Sequence, residues 1–199
     1  MARKPGAKTL SVAMQKGGVG KSTTIVQLAH YLVEEGNKVL LIDLDSQGNS
    51  SSRLSSNTDR RKDFEDEYTR SFCLLLDLEE GGEFSIESTT YGVDLIRSNS
   101  KDTDLIELQH ESYTKAYQVK YNLESFGFTQ EYDYILFDTP PNVDIRMVSA
   151  LMASNYLFMP LEMAAFAQSG MVDMLEDALM IQEKFNPGLE ILGFLVNKM

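Results

Sequence analysis

Gln15-Lys16-Gly17-Gly18-Val19-Gly20-Lys21-Ser22-Thr23 stands between a short apolar run, Leu10 to Met14, and a stretch in which Ile25, Leu28, Ala29 and Leu32 recur on one helical face. The apolar run predicts a buried strand. The periodic stretch predicts a helix from Lys21 to Glu35 that stops at Gly36. Strand, glycine-rich turn and helix together form the context of a phosphate-binding loop. Gly17, Gly18 and Gly20 let the backbone around Val19 curl so that its N–H groups face phosphate oxygens. The helix start adds partial positive charge. Lys21 can reach β- and γ-phosphates, and the Ser22 hydroxyl, followed by Thr23, can ligate Mg²⁺.

Working outward, Lys38 to Asp43 reads as a second buried strand, and strand–helix–strand at this length predicts a parallel pair. Asp43-Leu44-Asp45-Ser46-Gln47-Gly48-Asn49 follows. It places Asp43 and Asp45 at the carboxyl end of that strand, the edge where ligands bind in such sheets. Tyr134-Ile135-Leu136-Phe137-Asp138-Thr139-Pro140-Pro141 brings a third carboxylate, Asp138, to the same edge, with the two prolines ending the strand.

The general phosphate-loop pattern G-x-x-x-x-G-K-[ST] has a glycine where this chain has Gln15, and Lys16 comes next. Lys-Gly-Gly-x-Gly-Lys-Ser resembles the deviant P-loop of the ParA/MinD partition ATPases. The Asp-x-Asp-x-Gln-Gly-Asn and Asp-Thr-Pro-Pro segments resemble that family too, with Ser46 in place of its usual proline. The resemblance implies a Mg²⁺-dependent ATPase, closest to the short Soj-like forms, that turns over ATP slowly as an ATP-dependent homodimer in plasmid or chromosome partition. It implies that Lys16 crosses to the partner's nucleotide, that Asp43 lies near hydrated Mg²⁺, that Asp45 orients the attacking water and that Asp138 holds a Mg²⁺-bound water. Asn197, ending the last apolar run, matches the position that contacts adenine. A ParB-like partner protein is expected, in a cytoplasmic setting with possible nucleoid association.

A net charge of −12 opposes sequence-independent DNA binding, which depends on neutralising phosphates. The best local candidate for a basic patch, Arg53, Arg60, Arg61 and Lys62, runs straight into acidic residues and reads as a mixed-charge loop. The single cysteine, Cys73, cannot form an internal disulfide and reads as a buried thiol. No run reaches the roughly 18 apolar residues of a membrane span. His30 and His110 lack a nearby second ligand and read as ordinary packed or exposed side chains.

Further strands are predicted over 93–97, 156–160 and 189–196, and helices over 103–126, 142–152 and from Gly170 to about Phe185. The last of these shows Met171, Met174, Leu175, Leu179 and Met180 as its apolar side. Residues 72–78 predict a buried helical turn, and the charged segment 59–70 a mobile or partner-facing insertion. The expected architecture is one doubly wound α/β P-loop NTPase domain over 1–199. Its sheet should be mostly parallel with helices on both faces, its N-terminus flexible over 1–8, and its family's closing C-terminal strand and helices lacking. Two other functions stay open. One is a related ATPase that positions protein or membrane cargo without binding DNA. The other is a P-loop synthetase or kinase acting on a small molecule.

Overall fold

The computed structural model describes residues 6–55, 71–75, 86–98, 103–110, 113–162 and 170–197. Seven strands form one sheet in the order β3-β4-β2-β5-β1-β6-β7. These are β1 (Lys8–Val12), β2 (Val39–Asp43), β3 (Glu87–Ser88), β4 (Asp94–Ile96), β5 (Tyr134–Asp138), β6 (Tyr156–Glu162) and β7 (Glu190–Asn197). Every neighbouring pair is parallel except β3 with β4. The helices are α1 (Lys21–Glu34), α2 (Asn49–Leu54), α3 (Thr103–Glu107), α4 (Gln118–Ser125), α5 (Phe128–Glu131), α6 (Ile145–Ala153) and α7 (Gly170–Lys184).

The central strands are apolar on both faces, as parallel strands covered by helices must be. Alternate side chains divide between two cores. Leu40, Ile42, Ile135 and Phe137 pack with residues of α4, α6 and α7. Leu41, Leu136 and Val12 pack on the other face with Ile25, Ala29 and Leu32 of α1 and Leu54 of α2. The helices therefore lie on both faces, as the α/β reading predicts.

Several boundaries differ from the sequence expectation. The first strand is Lys8–Val12, not 10–14. Its pairing with β5 starts at Lys8 opposite Tyr134 and ends at Val12 opposite Asp138, and beyond Val12 the chain turns into the glycine loop. Ala7 is tied as well, its N–H donating to the Thr129 carbonyl, so the fixed backbone reaches into the segment expected to be flexible. The helical stretch 103–126 is broken into α3, two short 3-10 turns and α4. α6 starts at Ile145 because the Asp144 carboxylate caps it by accepting from the Arg146 N–H. On α7 the buried stripe is Met174, Ala178 and Ile181, while Leu179 is 46% exposed. The i, i+4, i+7 spacing of that stripe leaves Leu179 on the outer face. The strand β3 had no counterpart in the sequence reading.

Ser71–Leu75 forms a 3-10 turn with Leu74 and Leu75 buried, which fits the first part of the turn expected over 72–78. The expectations for the Cys73 side chain and for the 59–70 segment lie outside the described residues.

Candidate nucleotide site

The sheet order places β5 between β2 and β1, so three strand ends meet at one edge. In the parallel register Asp43 pairs with Asp138, and Val12 with Asp138. Adjacent strands lie about 4.8 Å apart. The topology alone therefore sets two carboxylates and the start of the glycine loop side by side.

Each carboxylate is held by local hydrogen bonds. Asp43 is fully buried, and its Oδ2 accepts from the Ser51 backbone N–H and hydroxyl, both at 2.8 Å. Its Oδ1 accepts from the Asp45 N–H at 3.1 Å. Asp138 Oδ2 accepts from the Ser50 hydroxyl at 2.6 Å, whereas Asp138 Oδ1 is buried with no hydrogen-bond partner. Asp45 Oδ1 accepts from the Gln47 N–H at 2.9 Å, which folds the Asp45–Gly48 turn. Burial pushes the Asp138 carboxyl up to about 6, against the pull of the Ser22 and Ser50 hydroxyls; Asp45 adds to the rise and Lys21 opposes it. Burial also raises Asp43 well above the carboxylate range, helped by the charge of Asp138 and opposed by Ser51.

Lys21 is buried among these groups. Its Nζ donates to the carbonyls of Met14 at 3.3 Å and Lys16 at 3.1 Å. Burial lowers its pKa, and the charges of Asp138 and Asp45 hold it back up. Lys16, by contrast, is 36% exposed, and its Nζ stands 4.0 Å from a Glu162 carboxylate oxygen at the end of β6.

The glycines differ from one another. Gly18 has φ +80° and Gly20 +98°, which suit residues without a Cβ. A Cβ on Gly20 would also collide with Asn197 Nδ2, because Asn197 folds over the loop and donates to the Val19 carbonyl at 3.1 Å. A Cβ on Gly17 would meet nothing within 4 Å. Val19 itself packs its side chain into the core, so only its backbone faces the loop. Gly20 begins α1 without a side-chain cap, and the first turn holds no acidic residue. Those free N–H groups suit an anion.

The structure thus brings Gly17, Gly18, Gly20, Lys21, Ser22, Thr23, Asp45 and Asn197 to the walls of one cleft of about 620 Å³. Asp43 and Asp138 lie buried beneath it, while Lys16, with its Nζ toward Glu162, is not among the residues that line it. Sequence reasoning gave no site role to Gln47, Asn49 and Pro141, which also line the cleft, and missed three residues altogether. Ser50 and Ser51 hold the two buried carboxylates, and Arg53 lines the cleft. The signal was present as a serine run directly after Gln47-Gly48-Asn49. Only the short helix α2 shows that the run turns back to the strand ends.

The donor set fits Mg²⁺. An orphaned buried carboxylate oxygen, a second buried carboxylate and a hydroxyl near a phosphate loop are what this ion needs when phosphates and waters complete its shell. Among the described residues no group of three His, Cys, Asp or Glu could hold a metal by itself.

Fold and loop define a P-loop nucleotide-binding α/β protein. A family model described as an AAA domain matches residues 7–191. The chromosome partitioning protein ParA of Caulobacter vibrioides is 30% identical over 190 residues, spanning 95% of this chain and 68% of that protein. The chromosome-partitioning ATPase Soj of Thermus thermophilus is 31% identical over 189 residues, with the same coverage of 95% and 68%. A cobyrinic acid a,c-diamide synthase from Mycobacterium smegmatis, solved with an ATP analog and magnesium, superposes with a TM-score of 0.81 at 28% identity. That match covers 96% of this chain and 74% of the synthase. The chain belongs to the ParA family of partition ATPases.

Proposed function

We propose that this chain is a Mg²⁺-dependent ATPase that converts ATP to ADP and phosphate and acts as a nucleotide-switched dimer in plasmid or chromosome partition. The observation that carries the reading is the pairing of Asp43 and Asp138 in register beneath the glycine loop, with Lys21 buried near Asp138 and Asp45. Mg²⁺, when bound, would neutralise phosphate charge. Ser22, Asp43 and Asp138 would hold it, the carboxylates chiefly through its waters. Lys21 would exchange its carbonyl partners for β- and γ-phosphate oxygens. The N–H groups of Gly17 to Thr23 would cradle the phosphates, and Asn197 would face the adenine. Asp45, fixed by its own turn, would orient the attacking water. In such hydrolases the protein mainly positions the water and stabilises charge on the transferred group. Lys16 would add a cation to the partner's nucleotide, in a face-to-face homodimer.

The setting we propose is cytoplasmic, with a ParB-like protein stimulating turnover. Among the described residues no helix is long and apolar enough to cross a membrane. The net charge of −12 makes DNA a weak partner for this chain alone.

Titration with labelled ATP-Mg²⁺ tests the reading. Lys21→Ala is expected to abolish binding, and Asp45→Ala to keep binding but stop phosphate release. Unchanged affinity in Lys21→Ala would reduce the loop to a turn. The likeness to the synthase favours a second reading, phosphoryl transfer to a small acceptor. ATP turnover with no acceptor present argues against it, and turnover only with an acceptor argues for it.

A further inference from the structure

We propose that Arg53 is a nucleotide-contacting residue that grips the nucleoside side of the phosphate chain, beside the sugar; this rests on the nucleotide-binding reading above. Arg53 lies in the last turn of α2, and its Nη1 donates to Thr23 Oγ1 at 2.7 Å. Thr23 follows Ser22 in the first turn of α1, and both Arg53 and Thr23 line the cleft. Among the described residues, the cations on the cleft walls are Lys21 and Arg53. They are set against Asp45 on the wall and Asp43 and Asp138 beneath it. A bound nucleotide adds several negative charges to that excess. A guanidinium at the rim would offset part of it, and its planar fork suits phosphate oxygens.

Position on α2 decides which end of the nucleotide Arg53 meets. The helix starts at the metal carboxylates, where Ser50 donates to Asp138 and Ser51 to Asp43. Arg53 comes two to three residues later, across from Thr23 and not from Lys21. Lys21 and Ser22 occupy the β,γ side. The Thr23–Arg53 bridge therefore flanks the phosphate nearest the sugar, which ADP and ATP share. The bridge also joins α1 to α2, so a ligand drawn to Arg53 pulls on the helix that carries Ser50 and Ser51.

The competing account is that Arg53 only ties the two helices together through one exposed hydrogen bond. Arg53→Gln separates the two, because an amide can still donate to Thr23 but carries no charge. Calorimetric titration of the full chain with ADP-Mg²⁺ and with a non-hydrolysable ATP analogue-Mg²⁺ is the measurement, run on wild type, Arg53→Gln and Arg53→Ala. Both variants are expected to lose about tenfold in affinity for both nucleotides, the loss of one charged hydrogen bond. Their nucleotide-free melting temperatures should match wild type. Wild-type affinity in Arg53→Gln, with or without a destabilised Arg53→Ala, would make Arg53 a structural tie and overturn the proposal. A loss confined to the ATP analogue would put the side chain at the terminal phosphate and overturn it too. Failure of the wild-type chain to bind either nucleotide would instead overturn the ATPase reading on which it rests.

Discussion

Asp138 shows what the site costs the free protein. Its carboxyl is raised by burial to about 6 from an ordinary 3.8, and Asp43 beside it is raised in the same direction. A carboxyl raised by folding stabilises the fold in its protonated form. That contribution is complete below the unfolded pKa of 3.8 and is lost as pH rises through about 6. At neutral pH the ligand-free protein therefore holds a carboxylate that would be more stable in the unfolded chain. Asp138→Asn removes the penalty and keeps an oxygen for the Ser50 hydroxyl. We expect its stability relative to wild type to be unchanged near pH 4 and to grow to about 2 kcal/mol by pH 7.5, while Mg²⁺-nucleotide binding is lost. Urea unfolding at the two pH values measures it. A difference that ignores pH would mean that Asp138 ionises in the fold without cost.

At the scale of elements, α2 is the piece that assembles the site and the piece that sequence patterning read least well. It is six residues long and rich in serine, too short and too polar to show a helical period. What fixes it is tertiary. The Ser51 hydroxyl donates to Asp43 and accepts from the Ser98 N–H at 2.9 Å, which links α2 to the ends of β2 and β4. Ser51→Ala should orphan the Ser98 N–H and take one donor from Asp43, costing about 1–3 kcal/mol in equilibrium unfolding. A cost near zero would show that water replaces the hydroxyl and that Leu54 and the hydrogen bonds of Ser50, the Ser51 N–H and Arg53 are enough to hold α2. The break between α3 and α4 has a local cause: Leu105, Leu108, Tyr113, Tyr117 and Leu123 share no single helical register. Tyr113 and Tyr117 are in fact more than half exposed.

For the whole molecule, the proposed dimer turns on Lys16. Lys16 is partly exposed, and its Nζ lies 4.0 Å from Glu162 of its own chain, a separation at which a surface pair contributes little. Leaving that carboxylate for a second nucleotide is therefore cheap. Asp45→Ala protein with ATP-Mg²⁺ is expected to scatter light as a dimer, and adding Lys16→Ala should return it to a monomer with ATP still bound. A monomer in both cases, or a dimer indifferent to Lys16, would leave Lys16 a surface lysine. By itself the sequence determined the phosphate loop, the apolar strands and the three carboxylates, because glycine spacing, apolar runs and their ends are local properties written residue by residue. It could not determine that β5 would lie between β2 and β1, since strand order depends on contacts far apart in the chain. That order, decided by the tertiary structure, sets Asp43 against Asp138 in register, buries both and raises their pKa values. It also brings Ser50, Ser51 and Arg53 of α2 to groups that no spacing in the sequence connects to them.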